Sequence, residues 1–348
     1  MTSNKKIPVA ILGATGSVGQ KFIELLSNHP WFEIKELAAS DSSAGKKYKN
    51  VVEWFLPNPM PDEVANVEVK KCEPSLDCKV VFSGLDSCIA GEVETEFAKK
   101  GYKVISNSKN HRMDEDVPLL IPEINANHIE LIKKQKYGEG FIVTNPNCSA
   151  IGLSLALKPL IDNFGIEEVN VVTMQAVSGA GNPKKVLLDI EDNVIPLIKD
   201  EEEKMETEPL KIFGELKENK VDFSQMRISA QCNRVNVSDG HFETVQVKLK
   251  NTTTKDYIIN SWKNFSSEPQ QLNLPSAPKN PIHYFEEEHF PQPKIHRNIE
   301  NGMAVSIGRL RPDKFFGYKF VILSHNTVRG AAGGAILCAE LLKAKDYI

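Results

Sequence analysis

The stretch Ile7-Pro8-Val9-Ala10-Ile11-Leu12-Gly13-Ala14-Thr15-Gly16-Ser17-Val18-Gly19 decides the fold. A short apolar run reaches a glycine turn and leads into Ser17–Ser27, where Val18, Phe22, Ile23, Leu25 and Leu26 make an apolar helix side. An apolar run of this kind that ends in Gly reads as a strand buried on both faces. Strand, glycine turn and helix, in that order, are the context in which such a string binds a dinucleotide. Gly13 permits the tight turn, Gly16 lets the backbone approach a pyrophosphate, and Gly19 lets helix and strand pack closely. Thr15, Ser17 and Val18 lie in the same turn, where free N–H groups and the helix dipole favour an anion. The spacing is GxxGxxG, a variant of the usual GxGxxG. The plainer alternative, a glycine turn without a ligand, explains the position between strand and helix less well.

Outward from this unit, strand patterns recur at Ile34–Ala39, Val67–Lys71, Val80–Leu85, Tyr102–Ser106 and Phe141–Thr144, with a helix at Ala90–Lys100. Such alternation is the signature of a parallel sheet covered on both faces. After Asn147 the pattern changes. Ser149–Phe164 reads as a helix interrupted at Pro159, and Asp189–Glu208 as an acidic helical stretch whose charges face solvent. Glu168–Ala176, Arg227–Val235, Phe242–Lys250, Val305–Leu310 and Lys319–Ser324 read as strands of an antiparallel or mixed sheet. The proline-rich Asn273–Pro293 reads as a surface crossover loop, and Thr327–Lys345 as a helix. The fold class is therefore α/β: a Rossmann-type dinucleotide-binding domain over 1–147 and a mixed α+β catalytic domain over 148–326. The last helix, 327–348, is expected to return to the first domain.

Composition narrows the function. With 42 basic and 46 acidic residues among 348, the net charge is -4. That balance excludes a polybasic surface for nucleic acid or anionic lipid. No run of 18 apolar residues is present for a membrane span, and the N-terminal apolar run is too short for a secretion signal. Six cysteines stand at irregular spacing, without a CxxC pair or a histidine at zinc-ligand spacing, so no metal site is expected. Reduced thiols in a cytoplasm are the expected state.

Three segments carry chemistry. The second strand ends Ala38-Ala39-Ser40, followed by Asp41-Ser42-Ser43-Ala44-Gly45-Lys46-Lys47. Hydroxyls at Ser40, Ser42 and Ser43 with the following lysines suit a 2′-phosphate, which favours NADP; Asp41 keeps NAD open. In Asn145-Pro146-Asn147-Cys148-Ser149, Asn147 is placed as an N-cap. Cys148 on the first helical turn would have its thiolate stabilised by the dipole and its pKa lowered, which marks a nucleophile. In Asn233–His241, Arg234 and His241 flank an Asp-Gly turn that can project a base toward a cleft.

With these residues in view, the chain resembles the aspartate-β-semialdehyde dehydrogenase family, in its archaeal and fungal branch. The resemblance rests on GATGSVGQ at 13–20, SNSKNHR at 106–112, NPNCS at 145–149, MQAVSGAG at 174–181, RVNVSDGH at 234–241 and HNTVRGAAGGA at 325–335. It implies reversible reductive dephosphorylation of L-4-aspartyl phosphate to L-aspartate 4-semialdehyde with NADPH, in the biosynthesis of lysine and diaminopimelate, methionine, threonine and isoleucine. By resemblance, Cys148 forms a thioester, His241 is the acid/base and Gln175 orients the substrate. Arg234 clamps the α-carboxylate, while Asn107, Arg112 and Lys211 hold phosphate. Glu208 faces the α-ammonium or positions Lys211, with Glu206 the alternative register. Ser178, Gly179, Gly181 and Asn326 border the nicotinamide, and the second domain forms a homodimer or a dimer of dimers. Ser42 stands where relatives often carry arginine. N-acetylglutamyl-phosphate reductase, malonyl-CoA reductase and a non-catalytic NADP(H) sensor are the alternatives the same fold allows.

Overall fold

The structure, a computed structural model, describes residues 5–180, 189–218 and 220–348. Its first sheet holds β1 (Ile7–Leu12), β2 (Phe32–Ala39), β3 (Val69–Lys71), β4 (Val80–Ser83), β5 (Lys103–Ser106) and β6 (Phe141–Thr144). The strand order is β3-β2-β1-β4-β5-β6, and every pairing is parallel. The period of two in β1 explains its all-apolar sequence. Val9 and Ile11 enter one core cluster, Ala10 and Leu12 the other. Helix α1 (Ser17–Leu26) buries Phe22, Ile23 and Leu26 on one side of the sheet. Helix α2 (Ser87–Lys99) buries Ala90, Phe97 and Ala98 on the opposite side. The order reverses between β1 and β4, which opens a crevice at the carboxyl ends of the strands.

Two glycines fix the β1–α1 turn. Gly13 takes φ +74°, open to glycine at little cost. A Cβ on Gly19 would stand 2.3 Å from the Gly13 carbonyl oxygen.

Helix α3 (Cys148–Phe164) follows β6 and leads into the second sheet. It runs unbroken through Pro159, where an interruption was expected. It is apolar all round and enclosed by its neighbours, with Ile151, Leu153, Leu155, Leu157 and Leu160 buried, so packing holds it across the missing N–H. The second sheet has β7 (Ile166–Gln175), β10 (Arg227–Arg234), β11 (His241–Leu249), β12 (Ile282–Phe285), β13 (Val305–Asp313) and β14 (Gly317–Ser324). Its order is β10-β7-β11-β14-β13-β12, and β8 (Glu215–Lys217) and β9 (Lys220–Asp222) form a separate pair. The sheet is mixed: β10/β7 and β12/β13 are parallel, the others antiparallel. Strand β12 lies inside the proline-rich stretch expected to be only a loop; as a four-residue edge strand it needs one partner. Helix α5 (Lys255–Lys263) completes the core with Trp262, whose indole N–H donates to the Ala156 carbonyl at 2.9 Å.

The acidic stretch also differs from expectation. Residues 191–200 are turns and irregular chain with an isolated antiparallel bridge from Ile195 to Arg234, and helix α4 spans Glu201–Ile212. Its acids do not simply face solvent. Glu202 accepts from the Cys232 N–H and Glu206 from the Ala230 N–H, both at 3.0 Å. Four residues apart on one helix face, they occupy the open edge of β10, which would otherwise present unpaired donors. The C-terminal segment opens with a π-helical turn, Val328–Ala332, and continues as α6 (Gly333–Ala344). Ala335, Ile336, Leu337 and Leu341 of α6 pack in one core cluster with Val9 and Ile11. Among the described residues, no helix is long and apolar enough to cross a membrane, and no cluster of ligating side chains could hold a metal ion.

Candidate active site

Four adjacent strands of the second sheet meet in one polar rung. Arg234 on β10 pairs with Gln175 on β7, and His241 on β11 pairs with Ser324 on β14. The register Phe242–Met174, continued by one residue, sets His241 beside Gln175. All four side chains are buried, at the end of the sheet where α3 begins.

Cys148 is presented from above this rung. Asn147 caps α3: its Oδ1 accepts from the N–H groups of Ser149 (2.9 Å) and Ala150 (3.2 Å). Its own N–H donates to Glu208 Oε2 at 2.6 Å, and its Nδ2 to Glu201 Oε1 at 2.7 Å. Two carboxylates of α4 thus hold the residue before Cys148. Cys148 Sγ lies 3.1 Å from His241 Nε2. The Ala176 N–H donates to His241 Nδ1 at 3.1 Å. A backbone N–H can only donate, so Nδ1 carries the lone pair and Nε2 the proton. His241 thus points an N–H at the sulfur. As held here it is a hydrogen-bond donor, where the spacing alone suggested a base for the thiol.

The charges around the sulfur are mixed. Burial and the Glu201 carboxylate push the Cys148 thiol up to about 12, against the opposing pull of Arg112, Arg234 and Lys204. The helix-start argument anticipated a lowered value; here desolvation outweighs the dipole. Burial also pulls His241 down to about 3. Glu201, absent from the sequence reading, is the carboxylate acting most strongly on Cys148. Burial pushes its carboxyl up, but Lys204 and the Asn147 hydrogen bond outweigh that, and it lies below the ordinary range. It also accepts from Gln175 Nε2 at 3.2 Å and Lys204 Nζ at 3.1 Å.

The loop after β5 supplies the cationic side. Arg112 donates to Glu208 Oε1 and to the Asn107 carbonyl, both at 2.8 Å. Arg112 Nε and Asn107 Nδ2 are buried donors without a partner among the described residues, which suits an incoming anion. Lys211 does something else. Its Nζ donates to the carbonyls of Arg112 (2.8 Å), Asp114 (2.7 Å) and Val117 (2.9 Å), so all three protons are used within the fold. The expected phosphate contact from Lys211 has no donor left; the residue shapes the Arg112 loop, and burial pulls its ammonium down to about 8. Glu208 reaches this loop, while Glu206 faces β10. Arg234 donates Nη1 to the Ala176 carbonyl at 2.7 Å. A Cβ on Gly179 would stand 3.0 Å from Arg234 Nη1 and 3.3 Å from His241 Nε2, so glycine lets the Val177–Ala180 turn close on both. Asn326 accepts from the Gly240 N–H at 2.8 Å and donates to Ser178 Oγ at 2.9 Å. Gly181 lies outside the described residues.

The cofactor side fits a dinucleotide. Helix α1 starts at Gly16 with no side-chain cap and no acid in its first turn. Beyond the Gly13 oxygen at 3.4 Å, the position of a Gly16 Cβ is open. Ala14 is held by the buried Tyr48 hydroxyl, which donates to its carbonyl at 2.8 Å, and Thr15 by Gln20 Nε2 at 3.1 Å; neither Tyr48 nor Gln20 was anticipated. At the end of β2, the Ser40 and Ser42 hydroxyls lie 3.0 Å apart, with Ser43 buried beside them. Lys46 Nζ donates to the Ser42 carbonyl at 2.8 Å. Asp41 lies 3.6 Å from Lys71 Nζ.

Comparison with known proteins agrees with this architecture. Residues 8–132 match the model of the semialdehyde dehydrogenase NAD binding domain, and residues 157–329 that of the semialdehyde dehydrogenase dimerisation domain. The aspartate-semialdehyde dehydrogenase of Archaeoglobus fulgidus is 47% identical, with 96% of this chain and 97% of that protein aligned. The chain belongs to the aspartate-semialdehyde dehydrogenase family. The Saccharomyces cerevisiae member is 43% identical over 99% of this chain and 100% of its own. The crystal structure of the Candida albicans aspartate-semialdehyde dehydrogenase with NADP superposes with a TM-score of 0.91 at 41% identity, covering 99% of this chain and 100% of that one. Membership makes the protein an oxidoreductase of the phosphorylating aldehyde dehydrogenase type with an NAD(P)-binding domain.

The two carboxylates near Asn147 have different neighbours: Glu208 holds Arg112, and Glu201 accepts from Gln175. Glu208→Gln is expected to free Arg112, so that the Michaelis constant for phosphate rises more than that for aldehyde. Glu201→Gln removes the carboxylate that acts most strongly on Cys148 and should raise the Michaelis constant for an amino-aldehyde by roughly 10–100-fold, the worth of one hydrogen bond to a charged group. Steady-state kinetics with each substrate varied in turn checks both. Equal effects on the two constants would show that the carboxylates act only as a scaffold for Asn147.

Proposed function

We propose that the protein catalyses the reversible, phosphate-dependent oxidation of L-aspartate 4-semialdehyde to L-4-aspartyl phosphate, with NADP as its dinucleotide. The observation that carries this reading is the Cys148–His241 contact at the head of α3, with Arg234 and Arg112 close enough to act on the sulfur. A small zwitterion that exchanges phosphate needs a soft nucleophile, a cation for its carboxylate, an anion for its ammonium and donors for phosphate. Arg234 would take the α-carboxylate with the part of its fork not bound to Ala176. Glu201 would take the ammonium, with Glu208 behind it anchoring Arg112. Arg112 Nε and Asn107 Nδ2 would receive phosphate, with Lys204 adding positive charge.

Cys148 attacks the aldehyde carbon: a C–S bond forms as the carbonyl π bond breaks, and the thiol proton passes to the oxygen, which His241 Nε2–H meets. Bound in the crevice, the nicotinamide supplies the hydride acceptor. The acyl group then rests on Cys148 as a thioester until phosphate displaces the thiolate and carries it off as acyl phosphate. Gln175, bonded to Glu201, keeps that carboxylate aimed at the substrate. The uncapped start of α1 at Gly13–Gly19 would hold the pyrophosphate, and Ser40, Ser42, Ser43 and Lys46 a 2′-phosphate. Ser178, Gly179 and Asn326 would border the nicotinamide. We infer a cytoplasmic enzyme of aspartate-family amino-acid biosynthesis. We also infer a homodimer through the sheet face opposite α3, where Val172, Met174, Phe242 and Thr244 are only half-buried.

The test is NADP reduction with L-aspartate 4-semialdehyde, with and without inorganic phosphate, beside NAD and N-acetylglutamate semialdehyde. Turnover is expected only with phosphate and preferentially with NADP. Turnover with the acetylated aldehyde alone would overturn the substrate assignment, and equal rates with NAD would overturn the role of the serine loop.

A further inference from the structure

One rung deeper on the face that carries Arg234, Gln175 and His241, the sheet holds Cys232, Thr173, Glu243 and Ile322. Glu243 has no exposed surface, and neither carboxyl oxygen has a hydrogen-bond partner among the described residues. Helix α3 covers it where Gly152 gives room. A Cβ there would lie 3.8 Å from Glu243 Oε1 and 2.8 Å from Ser324 Cβ. From β7 the neighbouring polar groups are Thr173 and Gln175, from β10 Cys232, and from β14 Ser324. From β11 itself the neighbour is His241, whose Nε2 lies 3.1 Å from Cys148 Sγ, and from α4 it is Glu201. No lysine or arginine pairs with Glu243 among the described residues. An ionised carboxylate without cation or donor is among the costliest groups to bury, whereas a neutral acid asks for far less.

We propose that Glu243 is kept as an uncharged carboxylic acid beneath the Cys148–His241 pair, and that its neutrality is what permits a thiolate to form above it. Burial and the Glu201 charge both raise its carboxyl well above the ordinary range. The sign follows from His241. With Nδ1 taken by the Ala176 N–H, the ring stays neutral, so a negative charge at Glu243 opposes the thiolate without being offset by an imidazolium. Glu201 already opposes it, and a second anion adds to the same barrier. Glu243 is therefore a positioning residue that acts through Cys148. Its ionisation at alkaline pH holds the rise in Cys148 reactivity below what a neutral group at 243 would allow. This role rests on Cys148 as the nucleophile of the proposed reaction.

Two readouts test it. Infrared spectroscopy of the full-length protein labelled with carbon-13 at glutamate side chains should show a protonated-carboxyl stretch at neutral pH that Glu243→Gln lacks. The stretch should disappear in the wild type only at alkaline pH. Absence of the band at neutral pH would overturn the proposal. The rate of Cys148 alkylation by iodoacetamide, followed by mass spectrometry against pH, needs no turnover and stands apart from the choice of substrate. Glu243→Gln should match the wild type within about threefold at neutral pH, then exceed it as pH rises past the loss of the infrared band. Identical profiles at every pH, or a variant that falls below the wild type at alkaline pH, would overturn the electrostatic role. A silent aldehyde assay with the infrared band intact would instead count against the proposed reaction.

Discussion

Cys148→Ala is expected to lower turnover by roughly 10⁴-fold or more while leaving NADP binding unchanged, because removal of a covalent nucleophile costs on that order. Substitution of a partner costs less: His241→Asn keeps a donor near the sulfur but loses the ring that the Ala176 N–H orients. The free enzyme should also be sluggish toward iodoacetamide near pH 7, since burial and Glu201 hold the Cys148 thiol up to about 12. Alkylation should climb toward alkaline pH. Rapid alkylation of the free enzyme at pH 7 would contradict the charge balance described for the site. Residual turnover within tenfold of wild type in Cys148→Ala would remove the thioester from the reaction. Isothermal titration with NADP separates a lost nucleophile from a damaged crevice.

The parts of this architecture that could be read in advance are those whose causes are local. Ile7–Leu12, Gly13, Gly19 and the helix that follows are specified within one short segment, by a period of two, a positive φ and a close backbone approach. Asn147 as the cap of α3 is similarly local: its Oδ1 serves the next two N–H groups in the chain. The parts that were misread depend on partners far away in sequence. The acids of α4 look like a solvated face because nothing nearby in the chain reveals the open edge of β10. Strand β12 hides among prolines because its reason to be extended is β13, about twenty residues on. Lys211 resembles a phosphate ligand until the carbonyls of Arg112, Asp114 and Val117 are seen around it.

The same division holds for reactivity. A helix start predicts a lowered thiol pKa from the dipole, which is a property of α3 alone. What raises it is burial against the second sheet and the charge of Glu201, which come from parts of the chain far from α3. The family motifs name Cys148, Gln175, Arg234 and His241 separately. That three of them share one rung follows from the pairing of β10, β7 and β11, which no single motif reveals. Glu201 and Lys204 sit in a charge run with no motif to single them out, and only folding selects the members that turn inward.

Arg329→Met should produce the largest loss of stability of any single change considered. Arg329 Nη1 and Nη2 make parallel bonds to Glu123 at 2.7 and 2.6 Å, and the two side chains are 1% and 0% exposed. Removing the guanidinium strands a carboxylate in the interior, which costs about 3–5 kcal/mol. The thermal midpoint should fall by roughly 10 °C, taking a few degrees per kcal/mol for a chain of this size. Replacing both partners, Glu123→Leu with Arg329→Met, leaves no buried charge and should recover most of the loss, whereas a site that merely needs the arginine's bulk would not recover. The pair also bears on catalysis. Arg329 lies in the π-helical turn Val328–Ala332, and the next residue, Gly330, packs on Cys148 so closely that a Cβ would stand 2.7 Å from Cys148 Cβ. A turn loosened by the single substitution should let Cys148 drift, lowering turnover at temperatures well below unfolding, since small misplacements of reacting groups are costly. The double variant, with the turn repacked on an apolar contact, should regain stability more completely than turnover. Recovery of both together would mean that the ion pair anchors the fold without aiming the nucleophile.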